Sequence, residues 1–254
     1  MDLTVVGAGP SYTDRPGATG AAYLLTRGDR ALLLDLGQGS FTRLAGLLDP
    51  ANLDAVLISH LHPDHFVDLV SLRLYLRWEP PRGRRMRVVG PAGLADRLDA
   101  LHAEPGFTAV VLDVDTLAEG TFAVGGPDGF AVEARHVTHD HPSFGFRVTR
   151  ADGSGQGLVY SGDCGRAADL EPLVRSGDAL LSEVSFGAGP VPADAQHLDG
   201  PAVGDLAART GAGRVLLTHL QMGFDRDATV ASVRDRYDGP VDLVDPGMRF
   251  TLDG

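Results

Sequence analysis

The chain has 254 residues, with 22 Lys+Arg against 34 Asp+Glu for a formal net charge of −12, hydrophobic residues at 43% and charged residues at 22%. That balance lets a chain bury a core, no run of about 18 apolar residues offers a membrane span, and the acidity opposes a large polyanionic partner, which asks for a broad basic footprint. A single cysteine, Cys164, excludes an internal disulfide and a thiolate-only zinc site, and all 22 basic residues are Arg, so no P-loop or Schiff-base lysine is available.

Met1-Asp2-Leu3-Thr4 enters strand-like sequence with no basic stretch and apolar segment before a cleavage site, and a cytoplasmic protein is expected. Strands are predicted at Leu3–Val6, Ala21–Leu25 and Ala31–Asp35, the last two joined by a hairpin turn at Arg27-Gly28-Asp29-Arg30. Phe41, Leu44, Leu47 and Leu48 fall at helical spacing, Ala55–Ile58 reads as a strand buried on both faces, and Asp64 or a neighbour caps a helix reaching Trp78. Strand Arg87–Val89, helix Ala92–Leu101, and strands Ala109–Val111 and Phe130–Val137 follow. Phe144–Thr149 and Gly157–Tyr160 form a second hairpin, and Ala179–Leu181 begins another buried strand. The last quarter reads helix Pro201–Arg209, strand Val215–Leu217, helix Asp227–Tyr237, and strands Val241–Val244 and Met248–Leu252. Strands and helices mix without a strict alternating period, which favours two sheets with helices outside over a barrel. No Ser/Pro-rich linker or internal repeat divides the chain, so residues 1–254 are read as one α/β domain.

The densest chemistry is Ser59-His60-Leu61-His62-Pro63-Asp64-His65, where a buried strand gives way to a helix. Residues two apart in extended backbone project to the same side, which pairs His60 with His62, while Asp64 and His65 on the next turn face a second position a few ångströms away. Three imidazoles and a carboxylate suit zinc, or manganese, iron and cobalt, whereas a solvated His-rich loop would need no metal.

His60 to His65 matches the His-x-His-x-Asp-His signature of the metallo-β-lactamase superfamily, and the chain resembles its ribonuclease Z-like branch, including short bacterial hydrolases without a tRNA-binding arm. The similarity extends through Leu3–Gly7, Leu32–Gly37, His139, Phe144–Arg147, Tyr160–Asp163, Leu181–Glu183 and Leu216–His219. It implies a four-layer αββα sandwich of two mixed β-sheets flanked by helices, with a metal site at one edge. It implies two divalent metal ions, Zn2+ in first place with Mn2+ or Fe2+ as alternatives, one held by His60, His62 and His139 and the other by Asp64, His65 and His219, with Asp163 bridging. The third histidine stays open among His136, His139 and His141; the family's spacing to Gly145 selects His139. A water held between two such cations would lose much of its proton affinity, and Asp64 could orient it. The resemblance places His197 where a histidine protonates the leaving oxygen, oriented by the acid Glu183; a surface histidine before a helix is the plainer reading.

The match has departures: Cys164 stands where threonine is common, the family's His-Glu-Ala-Thr run is Ser182-Glu183-Val184-Ser185, and its His-Ser-Thr run is His197-Leu198-Asp199. Cys164 is a buried structural cysteine or a redox-sensitive or ligating thiolate. Asp35 either orders a metal-bound histidine or forms a turn before Gly37. Arg82, Arg84, Arg85 and Arg87 read as a solvated loop, with phosphate or partner docking as the alternative, and His102 reads as structural. Gly7-Ala8-Gly9-Pro10 is a weak nucleotide-loop signal.

The expected activity is that of a dinuclear metal hydrolase, a phosphodiesterase acting on a small phosphodiester. Only a tight hairpin fits between Arg147 and Tyr160, where long-form relatives insert their tRNA-grasping arm, so the expected partner is a small-molecule substrate rather than a large nucleic acid or a membrane. Lactone or thioester hydrolysis and a non-catalytic metal-binding regulatory role are the alternatives, and the related branch implies a homodimer, for which the Leu69, Leu72, Leu76 and Trp78 face could serve as readily as for the core.

Overall fold

A computed structural model describes residues 1–79, 81 and 84–252. Two seven-stranded sheets lie face to face. The first contains β1 (Asp2–Gly7), β2 (Ala22–Arg27), β3 (Arg30–Leu34), β4 (Ala55–Leu57), β5 (Met86–Gly90) and β6 (Leu112–Thr116), closed at the β1 edge by β14 (Arg249–Thr251). The second runs from β7 (Gly120–Val124) through β8 (Phe130–Val137), β9 (Ser143–Arg150), β10 (Leu158–Tyr160), β11 (Ala179–Glu183) and β12 (Arg214–Thr218) to β13 (Val241–Leu243). Helices α1 (Ser40–Ala45), α2 (Pro63–Phe66), α3 (Leu69–Trp78) and α4 (Leu94–His102) belong to the first half, and α5 (Ala167–Leu170), α6 (Gly200–Thr210) and α7 (Arg226–Arg234) to the second.

The apolar runs of the sequence explain the layering. Successive strand residues face opposite sides, so Leu32 and Leu34 enter the core between the sheets while Ala31 and Leu33 enter the core under α1, α3 and α4. In the second sheet Leu181 and Leu216 face inward, and Leu180, Val215 and Leu217 pack against α6 and α7. The fold is thus the expected four-layer αββα sandwich.

Three local expectations are corrected. The helix predicted from Asp64 to Trp78 is two helices: the Asp64 carbonyl accepts from Ala21 N–H at 2.9 Å and the His65 carbonyl from Leu36 N–H at 2.8 Å, which takes the acceptors the helical ladder would need at residues 68 and 69. His62, in extended backbone before Pro63, holds the cap position of α2, and the Asp64 side chain is left free for other work. Residues 108–110 form a 3₁₀ turn rather than a strand, and β6 begins two residues later. β7 and the short α5 were not expected; β7 is half-exposed at a sheet edge, where apolar alternation is weakest. Leu69, Leu72 and Leu76 are consumed by the core, leaving Trp78 at 64% exposure. No helix among the described residues is long and apolar enough to cross a membrane.

Gly37 marks how tightly the first sheet grips α2: a Cβ there would stand 1.8 Å from the Asp64 carbonyl oxygen. Gly7 is similarly pressed, with a Cβ 1.9 Å from the Gly20 carbonyl oxygen, which accounts for the Gly7–Pro10 run as close backbone packing rather than a nucleotide loop. Replacing Gly37 by Ala is expected to cost about 1–3 kcal/mol through overpacking, measured by urea unfolding; an unchanged midpoint would contradict this packing.

Candidate metal centre

Parallel strands deliver nearly every chemical residue to one edge. β3 pairs in parallel with β4, and β10, β11 and β12 pair in parallel, so Asp35, Ser59-His60, Ser161–Asp163, Glu183 and His219 all follow or end strands on the same carboxyl side. The β8–β9 turn adds His139. Asp35 and His219 adopt left-handed backbone, both at φ 58, a conformation that costs a non-glycine residue on the order of 1 kcal/mol or more and that recurs where a chain must aim a side chain.

The ligand atoms of His60, His62, His139 and Asp163 lie within 4.8 Å of one another, as do those of Asp64, His65 and His219. In the first group His60 Nε2 is 3.0 Å from His62 Nδ1, and His139 Nε2 is 3.2 Å from the same atom. In the second, His219 Nε2 stands 3.1 Å from Asp64 Oδ2 and 3.3 Å from His65 Nε2. Asp163 spans both: Oδ2 is 3.6 Å from His60 and 3.9 Å from His139, while Oδ1 is 3.4 Å from His65 and 3.6 Å from His219.

Hydrogen bonds on the far side of the rings fix which nitrogen faces inward. His65 Nδ1 donates to Asp35 Oδ2 at 2.8 Å, His60 Nδ1 to Ser59 Oγ at 3.1 Å, and His139 Nδ1 to the Gln196 carbonyl at 2.9 Å. Each bond commits Nδ1 to the far side and leaves Nε2 as the nitrogen that faces the cluster. Asp35 is buried and also accepts from the Ser59 hydroxyl and from Tyr160 at 2.6 Å, so it orders histidines of both groups while lying at a positive-φ turn.

These residues fit divalent cations. Asp64 Oδ1 and Asp163 Oδ1 are buried with no hydrogen-bond partner, a costly state for a carboxylate that a cation would relieve, and the surrounding donors are neutral nitrogen and anionic oxygen. Burial opposes the charge on Asp163, yet His219, His65 and His60 hold its carboxyl well below the usual range. Burial and the neighbouring His65 push His60 well down.

Beside the cluster, His197 Nδ1 lies 2.9 Å from Glu183 Oε1 and 4.0 Å from Asp163 Oδ2. Burial works against its protonation, but the hydrogen bond and charge of Glu183 prevail and raise it to about 9. The structure therefore brings His197 into the site rather than leaving it on the surface. Among the alternatives, His136 packs at a tilt against the Phe144 ring and His141 is exposed, its ring 5.0 Å from that of His62, while His139 alone joins the cluster.

Other candidates fall outside. Cys164 is fully buried, its thiol donates to the Arg166 carbonyl and burial pushes its pKa up, so its contribution is structural and its backbone N–H serves Glu183 at 2.9 Å. Arg85 and Arg87 pair with Asp113 and Asp115 at 2.7 and 2.8 Å, and Arg84 reaches Asn52, which accounts for these as surface pairing; Arg82 lies outside the described residues. His102 stacks on Phe107. Sequence reasoning assigned no role to Ser59, Gln196 or Ser185: Ser59 contacts the adjacent His60, while Gln196 reaches His139 and Ser185 reaches His219 across 57 and 34 residues, and the one available signal was that Ser59 and Ser185 adjoin chemical residues.

The chain matches the beta-lactamase superfamily domain over residues 33–220. It is 33% identical over 249 residues to the uncharacterized protein Rv1339 of Mycobacterium tuberculosis (strain ATCC 25618 / H37Rv), covering 95% of this chain and 89% of that one. It is 32% identical over 199 residues to ribonuclease Z of Mycobacterium sp. (strain KMS), covering 71% and 67%. The crystal structure of the metallo-beta-lactamase fold protein YhfI from Bacillus subtilis superposes with a TM-score of 0.85 at 24% identity, covering 98% of this chain and 99% of that one. With its two sheets, its histidine-aspartate cluster and these relatives, the chain belongs to the metallo-β-lactamase superfamily of metallo-hydrolases, in the ribonuclease Z-like branch.

Proposed function

We propose that residues 1–254 form one catalytic unit that hydrolyses a small phosphodiester with two divalent cations, Zn2+ foremost, held by His60, His62 and His139 and by Asp64, His65 and His219, with Asp163 between them. The observation that carries the reaction type is the His197–Glu183 pair, 2.9 Å apart and set beside Asp163, because cleaving a phosphodiester expels an alkoxide that needs a proton. The name ribonuclease Z, borne by the Mycobacterium sp. relative, denotes cleavage of the same bond in RNA.

Bound in this cluster, the cations would supply a water of lowered pKa and offset the charge developing on the phosphoryl oxygens. The chain's own residues do the rest. Asp64, with Oδ2 on His219 and Oδ1 free of hydrogen bonds, accepts from and orients the attacking water. Glu183 holds His197 Nδ1, so Nε2 is the ring nitrogen left to deliver the proton to the leaving oxygen. Asp35, Ser59 and the Gln196 carbonyl keep the histidine tautomers in place, and their fixed geometry spares reorganisation during the reaction.

Size selection rests on charge and on the β9–β10 connection. A formal net charge of −12 repels a long polyanion, and residues 151–157 make only a short turn between antiparallel strands. A small anion, by contrast, needs only the local field of the cations and His197.

Protein reconstituted separately with zinc and manganese is expected to turn over bis(p-nitrophenyl) phosphate, and Asp163→Ala is expected to bring the rate to background. No turnover with both cations bound would overturn the phosphodiesterase reading and direct attention to lactones and thioesters. His197→Ala is expected to lower kcat by about 10²–10⁴-fold on an alkyl phosphodiester and far less on one that expels p-nitrophenolate, which leaves without a proton. An equal loss on both leaving groups, measured side by side, would contradict the acid role.

A further inference from the structure

The loop after β11 carries His197, and its two ends are stitched to opposite halves of the metal cluster. At one end the Gln196 carbonyl accepts from His139 Nδ1 at 2.9 Å. At the other, Ser185 Oγ lies 3.0 Å from His219 Nδ1, 3.2 Å from His197 Nδ1 and 2.6 Å from Glu183 Oε2. Ser185 is fully buried, so these contacts are made away from bulk solvent.

Counting protons decides what the hydroxyl does. The Glu183 carboxylate has only acceptor sites, and its Oε1 takes Cys164 N–H at 2.9 Å and His197 Nδ1–H, while Oε2 takes Ser185 N–H at 3.1 Å. The single Ser185 proton goes to the remaining site, at the short 2.6 Å contact with Oε2. Its oxygen lone pairs then face the two imidazoles, and His219 Nδ1 must be the donor to Oγ. That commits His219 Nδ1 to Ser185 and turns Nε2 toward Asp64 and Asp163, the side on which a cation would be held. The direction of one serine proton thus depends on Glu183, and the orientation of one cluster histidine depends on that serine.

The geometry points to Ser185 as a positioning residue that couples the proton-donating pair to cation binding: it holds His219 ready to ligate and is itself held by Glu183. This rests on the proposed reading of His219 as a metal ligand. By linkage, a cation bound through His219 stabilises the placement of Ser185 and Glu183, and loss of the hydroxyl weakens the cation in return. Nothing in this argument requires Ser185 to touch substrate.

The test is a zinc titration of the whole chain against a chromogenic chelator of known affinity, for wild type and for Ser185→Ala, Ser185→Thr and Ser185→Val. Threonine keeps the hydroxyl, and valine keeps threonine's shape without it. Ser185→Ala and Ser185→Val are expected to weaken one of the two zinc sites by about 10–100-fold, with the other site little changed and Ser185→Thr close to wild type. If the alanine variant does not fold, the threonine and valine pair decides, and thermal melting of stripped and zinc-loaded protein separates the effects: coupling predicts a larger loss of Tm with zinc than without. Wild-type zinc affinity in both hydroxyl-free variants, or equal Tm losses with and without zinc, would overturn the coupling while leaving the metal reading intact. A wild-type protein that binds no zinc, manganese or iron would instead remove the metal reading, and this inference with it.

Discussion

The Asp163 carboxylate is 2% exposed and presents one oxygen to each of two groups of imidazoles, and the rest of the site is arranged around that burial. An ionised carboxylate out of water costs several kcal/mol unless positive charge stands close by. The chain meets this demand with histidines whose far nitrogens are tied to Asp35, Ser59, Gln196 and Ser185, so the near nitrogens cannot turn away. Without cations, protons take up part of the compensation: burial opposes charge on His65, yet Asp163 and Asp35 hold it well above the usual imidazole range, while its neighbour His60 is driven well below. Such a set of groups is poised to exchange protons for divalent cations.

The sheets make this burial affordable by geometry. Buried strands such as β3, β11 and β12 split their apolar side chains between the inner and outer cores, and their carboxyl ends stop at a common edge where the chain turns. Chemistry then sits on the segments just past those ends, short enough to inherit the rigidity of the strands. The grip of Ala21, Leu36 and Gly37 on the backbone of α2 serves the same purpose, because Asp64 and His65 belong to a helix of four residues that has little stability of its own.

How much of this was legible in the sequence follows from contact range. His60, His62, Asp64 and His65 lie within six residues, and local geometry alone suggested that they converge, His60 and His62 by strand periodicity and Asp64 and His65 on the turn that follows. His139, Asp163, His197 and His219 are far apart in the chain, and only an ordered family resemblance tied them to the motif. Ser185 shows the limit: as a neighbour of Glu183 it looked like a departure from a family run, and its contact with His219, 34 residues on, exists only after β11 and β12 pair. The break between α2 and α3 was hidden for a similar reason, since backbone acceptors taken by Ala21 and Leu36, residues flanking β2 and β3, leave no trace in helix-forming side chains. Strands β6 and β7, half-exposed at sheet edges, carry too little apolar alternation to announce themselves.

The claim that Asp163 stands between two cation positions is tested most directly by anomalous diffraction from crystals grown with zinc. Two peaks are expected, one against His60, His62 and His139 and the other against Asp64, His65 and His219, with the Asp163 carboxylate reaching both. A single peak held by Asp163, His197 and His219, which also lie within reach of one another, would contradict it, because the proton-donating histidine would then be a ligand.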